Sequence, residues 1–198
     1  MAQCVEDSRL LLDAADRHDY IRGVIVRCGG AAELDEFARH AKFAGVVGQG
    51  IELAELAMRG VPVDLAMTAE DTLAAVERHA NLHAVLVHLG LPDGRSSWFR
   101  AIERLAQSPG IFVKASGLIT QFQRPWNAAR CRPFVQHALQ CFGPARLMFG
   151  SDWPATLPDS IWKETLAAFT QSIGAQTMDA REEMLGGAAA RFYRIADL

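Results

Sequence analysis

Short apolar runs alternate with longer segments of helical periodicity almost to the end of the chain. The runs predicted as strands are residues 21–26, 43–47, 61–67, 83–88, 111–115 and 147–149. The segments predicted as helices are residues 8–18, 33–40, 51–59, 68–80, 96–107 and 127–141, and two more helices follow from about residue 159. Apolar strands joined by helical crossovers are typical of parallel sheets that are covered on both faces. The pattern therefore predicts an α/β protein built from repeated strand–helix units.

The repeated units leave two architectures open, a doubly wound open sheet and a (β/α) barrel. No glycine-rich nucleotide-binding fingerprint follows the first strand, and GxxxxGK[ST] occurs nowhere in the chain. Both absences count against the nucleotide-binding open sheets. A closed barrel of this class has about eight strands, whereas the pattern contains six. A barrel formed by this sequence is therefore incomplete.

Composition limits the classes of function. The chain has 198 residues, half of them hydrophobic, and a formal net charge of −3, which suits one domain over residues 1–198. It lacks the basic stripe of a nucleic-acid-binding protein, an apolar run long enough to span a membrane, and the regions of a signal peptide. The four cysteines show no CxxC spacing. We expect reduced thiols and a cytoplasmic protein.

Polar side chains follow three successive strands at the point where each strand ends. His88 ends the fourth strand, Lys114 and Ser116 end the fifth, and Asp152 follows the sixth. Functional side chains of parallel sheets and barrels stand at the carboxyl ends of the strands. We therefore expect these groups to converge on one rim, which favours a functional site.

Each of these residues also has an ordinary structural interpretation. A single aspartate after a strand often caps the next helix or turn, and a single histidine is often a satisfied structural residue. Three polar groups at one rim outweigh these interpretations. The other histidines fall on helices, near helix ends or at the start of a strand, away from the rim: His18, His40, His79, His83 and His137.

The same segments resemble a known family. In chain order they are residues 43–47, 61–65, 85–92, 113–118, 146–154 and 185–193. Together they resemble the amidohydrolase-related (amidohydrolase family 2) TIM-barrel hydrolases, and most of all the branch of L-fuconolactonase and 2-pyrone-4,6-dicarboxylate lactonase. The resemblance extends from near residue 8 to the C-terminus. Its most specific motif is the one that ends in Gly150-Ser151-Asp152-Trp153-Pro154.

The resemblance implies a TIM-type barrel, incomplete at the N-terminus, in which strand 1 and most of strand 2 are absent. It also implies that Asp152, after barrel strand eight, is the general base for the attacking water. His88, after barrel strand six, would polarise a lactone carbonyl or, in metal-dependent relatives, bind metal. Hydrolysis needs such a base and a donor to the developing oxyanion. We assign no metal ligand: the chain requires no cofactor, or it uses a single divalent metal, zinc, as in the full-length family.

Two departures from the family pattern affect the expected activity. The family's first strand carries a His-x-His pair, which this sequence lacks, and Gly48-Gln49-Gly50 stands where relatives have a longer loop. A parallel barrel without a strand has two unpaired edges and a core open to water. We therefore expect that a homo-oligomer covers the open edges.

Three hypotheses follow for the function. The first is a hydrolase that cleaves a small sugar or pyrone-type lactone with base-activated water. The second is a non-catalytic, truncated remnant of such a hydrolase. The third is a decarboxylase of the same superfamily, which the missing His-x-His pair disfavours because those enzymes usually bind a metal through it.

The expected partner is a small-molecule substrate, with no nucleic acid and no membrane, and the predicted substrate-binding residues are Lys114, Ser116 and Trp153. Lys114 and Arg124 suit an anionic substrate, although basic side chains at a rim are commonly just solvated. Trp153 and Trp126 suit stacking on a sugar ring, although aromatic packing at a barrel mouth is as common.

Overall fold

The computed structural model describes residues 4–121, 128–157 and 161–195, in which strands and helices alternate as predicted. The strands are β1 Val24–Val26, β2 Phe43–Val47, β3 Val63–Leu65, β4 Ala84–Leu86, β5 Ile111–Ala115 and β6 Leu147–Phe149. The helices are α1 Val5–Arg17, α2 Ala31–Phe37, α3 Leu53–Arg59, α4 Ala69–Arg78, α5 Ser96–Leu105, α6 Ala128–Phe142, α7 Trp162–Ile173, α8 Met178–Glu182 and α9 Ala188–Tyr193.

The six strands form one parallel sheet in the order β1-β2-β3-β4-β5-β6. A doubly wound sheet reverses its strand order at a switch point, whereas this order follows the chain without reversal. Sequential order is that of a (β/α) barrel, and the sheet is a curled, incomplete one. Among the described residues β1 and β6 are the two edges, as no pairing joins them. The prediction of an incomplete TIM-type barrel is confirmed.

Local sequence fixes where several elements begin and end. The Thr68 hydroxyl accepts a hydrogen bond from the Asp71 N–H and so caps α4, as predicted from Thr68 and the acidic first turn. Gly60 ends α3 in the left-handed region, at φ 60°, where a residue without Cβ is favoured. Within the described residues, no helix is long and apolar enough to cross a membrane.

Alternate residues of the strands pack on two different layers. Ala84, Leu86, Ile111 and Val113 belong to a large apolar cluster that includes residues of α2, α3, α5, α6 and α7. The residues between them face the other side, which we call the inner face, and include Val85, Phe112 and Met148. The period of two residues therefore gives the sheet a helix-covered outer face and an inner face that holds the barrel interior.

Helix α9 fills part of the inner face. Its Ala188, Phe192 and Tyr193 pack in one cluster with Phe112 of β5, and the Phe192 ring stacks on His83 with centroids 4.2 Å apart. The three α9 side chains are buried in this cluster, which also contains Val85 of β4 and Met148 of β6. Helix α9 covers only part of the inner face, so the expectation that an incomplete barrel opens its core to water stays a prediction.

Helix α1 covers part of the β1 edge. The Ser8 hydroxyl, on a fully buried residue, donates to the Arg27 carbonyl (3.0 Å) and accepts from the Arg27 N–H (2.8 Å). One side chain thus satisfies the two backbone groups of Arg27 that a neighbouring strand would bind.

A short irregular turn follows β4 at Val87–Gly90 and carries His88. His88 and Leu89 have left-handed φ angles of 55° and 54°, which are rare for side chains other than glycine. The Trp98 indole N–H, on α5, donates to the Leu89 carbonyl at 2.8 Å, and both residues are 1% exposed. Trp98 therefore satisfies a backbone group that the unusual turn leaves without a helix or strand partner.

We predict that Trp98→Phe lowers the free energy of unfolding by about 1–3 kcal/mol, because it leaves the buried Leu89 carbonyl without its donor. The measurement is the urea midpoint with its slope. Trp162→Phe is the matched control: Trp162 is half exposed, so its replacement should change stability by less than about 0.5 kcal/mol. Equal losses in the two variants would contradict the role given to the indole N–H.

Candidate active site

Three segments that follow β4, β5 and β6 meet at one rim of the sheet. His88 lies in the turn after β4, Ser116 directly after β5, and Asp152 three residues after β6. The His88 Nδ1 is 2.9 Å from the Ser116 Oγ, and its Nε2 is 3.9 Å from the Asp152 Oδ1. The predicted convergence agrees with this geometry for His88, Ser116 and Asp152 but not for Lys114, which binds Asp64 instead; their chemical roles stay predictions.

The His88 ring is held by its two neighbours in the loop after β5. Ser116, which is 4% exposed, contacts Nδ1. Gly117 lies against the ring at φ +63°, and a Cβ there would be 2.7 Å from Nδ1. A side chain at position 117 would therefore displace the imidazole, which explains why glycine follows Ser116.

Asp152 presents its two carboxylate oxygens to different partners. Oδ2 accepts a hydrogen bond from the Thr120 hydroxyl at 3.0 Å, while Oδ1 faces the His88 Nε2. The separation of 3.9 Å is too long for a hydrogen bond, and both side chains are partly exposed, so each atom remains available to a third group. Asp152 also has a left-handed φ of 58°, and such conformations concentrate at functional sites.

Thr120 is a site residue that sequence reasoning missed. It follows the strand by five residues, in a turn where the Gln121 N–H binds the Gly117 carbonyl at 3.0 Å. The turn folds Thr120 back toward the rim. In the sequence, Thr120 is recognisable only as a hydroxyl residue shortly after Ser116-Gly117. Its place at the rim depends on the turn, which the sequence pattern does not predict.

The described residues do not by themselves fit a zinc ion. A catalytic zinc takes about three protein ligands, and no group of three or more His, Cys, Asp or Glu side chains in the described residues is placed to hold a metal. Of His88 and Asp152, the Nε2 and the Oδ1 are the atoms left to bind a metal, since their other polar atoms contact Ser116 and Thr120.

Lys114 lies one layer below the rim, on the inner face of β5. Its ammonium donates to the Asp64 Oδ2 at 2.7 Å and to the Tyr193 hydroxyl at 2.8 Å, and that hydroxyl donates to the Asp64 Oδ1 at 2.5 Å. Asp64 is 1% exposed. The cationic charge of Lys114 is thus paired inside the barrel, and a contact between Lys114 and an anionic substrate stays a prediction.

A cavity of about 290 Å³ opens beside β1 and reaches this charged group. Its lining combines apolar residues with the ion pair: Leu11, Ile21, Gly23, Val24, Ile25, Asp64 and Lys114. Trp153 follows Asp152 at the rim with 60% of its surface exposed, and its stacking on a substrate stays a prediction. Arg124 and Trp126, the other two rim residues considered from the sequence, lie outside the described residues.

A parallel barrel with polar groups at its carboxyl rim has the architecture of the TIM-barrel enzymes. The chain belongs to the amidohydrolase family, whose model matches residues 2–195. It is 31% identical over 229 aligned residues to the L-fucono-1,5-lactonase of Burkholderia ambifaria. The alignment covers 96% of this chain and 76% of the lactonase.

Two crystal structures of an amidohydrolase from Burkholderia multivorans have the same fold. The structure with bound HEPES has a TM-score of 0.81 at 28% identity, and the one with bound zinc has a TM-score of 0.80 at 26% identity. Each comparison covers 96% of this chain and 79% of the other. The predicted family and fold are therefore confirmed.

The buried hydroxyl of Tyr193 affects the stability of the protein at alkaline pH. Burial, followed by the charge of Asp64 and the hydrogen bond to it, raises the pKa of Tyr193 well above 10.0. The unfolded chain therefore loses this proton at a lower pH than the folded protein, and stability falls as the pH rises above about 10. We predict that Tyr193→Phe weakens this fall and lowers stability at neutral pH by about 1.5–3 kcal/mol, since it removes a hydrogen bond to a buried carboxylate.

The measurement compares urea midpoints at neutral and alkaline pH in Tyr193→Phe and in Tyr20→Phe, whose tyrosine is 78% exposed. Burial also raises the pKa of Cys28 and Cys131 to about 11, so the difference between the two variants is the informative quantity. The same alkaline loss in both variants would overturn the assignment to Tyr193.

Proposed function

We propose that this amidohydrolase cleaves a small lactone with water, with Asp152 as general base and His88 as the electrophilic group. The observation that supports this most is the pair of atoms at the rim: the Asp152 Oδ1 and the His88 Nε2 lie 3.9 Å apart on two partly exposed side chains. In the proposed complex a water binds the Asp152 carboxylate and the carbonyl oxygen of the lactone binds the His88 imidazole, both from the exposed side of the pair. The similarity to an L-fucono-1,5-lactonase favours a lactone as substrate.

The proposed reaction has two steps, the attack of water on the lactone carbonyl and the cleavage of the ring C–O bond. The Asp152 carboxylate takes a proton from water, whose oxygen attacks the carbonyl carbon of the lactone. The His88 Nε2–H donates a hydrogen bond to the carbonyl oxygen as negative charge develops there. The ring C–O bond then breaks, and the leaving oxygen takes the proton from Asp152. Lactone and water thus give one hydroxy acid, and the carboxylate is regenerated.

The expected substrate is a sugar or pyrone-type lactone, with Trp153 against one face of its ring and Lys114 and Ser116 as further predicted contacts. Trp153 supports this role by its exposed position at the rim. A similar amidohydrolase structure contains bound zinc, whereas the described residues of this chain place only two potential metal ligands at the rim. Assays with and without zinc therefore test whether the ion is needed.

We predict that Asp152→Asn lowers kcat for a hydrolysed lactone by about 10²–10⁴-fold, because the amide cannot accept the proton of the attacking water. Hydrolysis produces an acid, so a pH indicator measures it, beginning with L-fucono-1,5-lactone and other sugar lactones. Asp13→Asn is the matched control, since Asp13 is exposed on α1.

Two outcomes would contradict the proposal. Full activity in Asp152→Asn would exclude the carboxylate as base. Complete inactivity of a cooperatively folded wild-type protein toward lactones, with and without zinc, would favour the non-catalytic remnant instead. A small-molecule partner, a second copy on the open sheet edges and a cytoplasmic location belong to the same proposal, and sedimentation measures the oligomeric state.

A further inference from the structure

The turn after β5 carries two hydroxyl groups that contact the two proposed reactive residues. Ser116 begins the turn and lies 2.9 Å from the His88 Nδ1, and Thr120 follows and lies 3.0 Å from the Asp152 Oδ2. The hydrogen bond from the Gln121 N–H to the Gly117 carbonyl, at 3.0 Å, closes the turn between them. We call Ser116 and Thr120 the hydroxyl pair.

The Ser116 hydroxyl is placed to orient the imidazole. Ser116 is 4% exposed, and a Cβ on Gly150 would lie 2.9 Å from the Ser116 Cβ, so its side chain is packed beneath the rim. If Nε2 carries the hydrogen that meets a carbonyl oxygen, Nδ1 is an acceptor, and Ser116 is then the donor to it. The hydroxyl thus favours the tautomer that the reaction needs.

The Thr120 hydroxyl is placed to orient the carboxylate. Its oxygen is 3.0 Å from the Asp152 Oδ2 and 3.3 Å from the Gly117 carbonyl. A hydroxyl has one hydrogen to donate, and the ionised carboxylate is the stronger acceptor and the nearer one. The bond occupies Oδ2 and leaves Oδ1 directed at the space beside the His88 Nε2.

We infer that Ser116 and Thr120 are positioning residues: the turn after β5 sets the orientation of both His88 and Asp152 through this hydroxyl pair. The inference rests on the proposed function. It gives Ser116 a contact with the imidazole in addition to the substrate contact predicted from the sequence. Because both hydroxyls belong to one short segment, that segment also sets the distance between the two reactive atoms.

The kinetic experiment compares Thr120→Val with Thr120→Ser on a lactone that the wild-type protein hydrolyses. We predict that Thr120→Val lowers kcat about ten-fold to a hundred-fold and changes KM by less than about two-fold, since a bond to a charged group is lost at the base but not at the substrate. Thr120→Ser keeps the hydroxyl and should restore most of the rate. Ser116→Ala should lower kcat in the same way as Thr120→Val.

Thr170→Val is the matched control, because the Thr170 hydroxyl binds only the Leu166 carbonyl of its own helix among the described contacts, at 2.9 Å. Wild-type kcat in Thr120→Val, or a loss in Thr120→Ser as large as in Thr120→Val, would overturn the inference. Urea midpoints of the variants exclude partial unfolding as the cause of a loss.

Crystal structures of the variants test the same inference without any substrate. We expect a rotated carboxylate in Thr120→Val and a rotated or disordered imidazole in Ser116→Ala, with the backbone unchanged. Unmoved Asp152 and His88 side chains would refute the positioning role. A wild-type protein without lactonase activity whose variants do show these rotations would refute the proposed function and leave the hydroxyl pair standing.

Discussion

The inner-face column of strand β5 is the feature on which the rest of the site depends. Phe112, Lys114 and Ser116 are two residues apart and therefore point to the same side of the sheet. Phe112 packs on helix α9, Lys114 binds the buried Asp64, and Ser116 reaches His88. Strand β5 thus connects the apolar cluster with α9, the buried ion pair and the reactive rim. A shift in the register of β5 would therefore displace all three.

The ion pair in the middle of this column has a structural consequence for an incomplete barrel. A charge on a buried strand is costly unless it is paired and hydrogen-bonded. Here the Asp64 carboxylate receives Lys114 and the Tyr193 hydroxyl, and Tyr193 belongs to the C-terminal helix. The polar contact therefore fixes α9 on the inner face, where its Ala188 and Phe192 pack in one cluster with strand residues.

Sequence periodicity predicts much of this architecture, because strands covered on both faces need apolar runs and parallel strands need helical crossovers. The predicted third strand, residues 61–67, shrinks to Val63–Leu65, and His88 lies in a left-handed turn beyond its strand. The convergence of His88 and Asp152 follows from parallel topology. The contacts of Thr120 and Tyr193 could not be predicted in this way. The first depends on the turn after β5 and the second on the packing of α9 against the inner face.

The central claim is that the imidazole at position 88 and the carboxylate at position 152 act on one bound lactone. A double-mutant cycle in kcat/KM with His88→Gln and Asp152→Asn tests it most directly. Groups that act as a unit lose activity in a strongly non-additive way. The account predicts that the double variant is hardly slower than the slower single variant. Losses that multiply would show that the two residues act independently and would contradict a shared site.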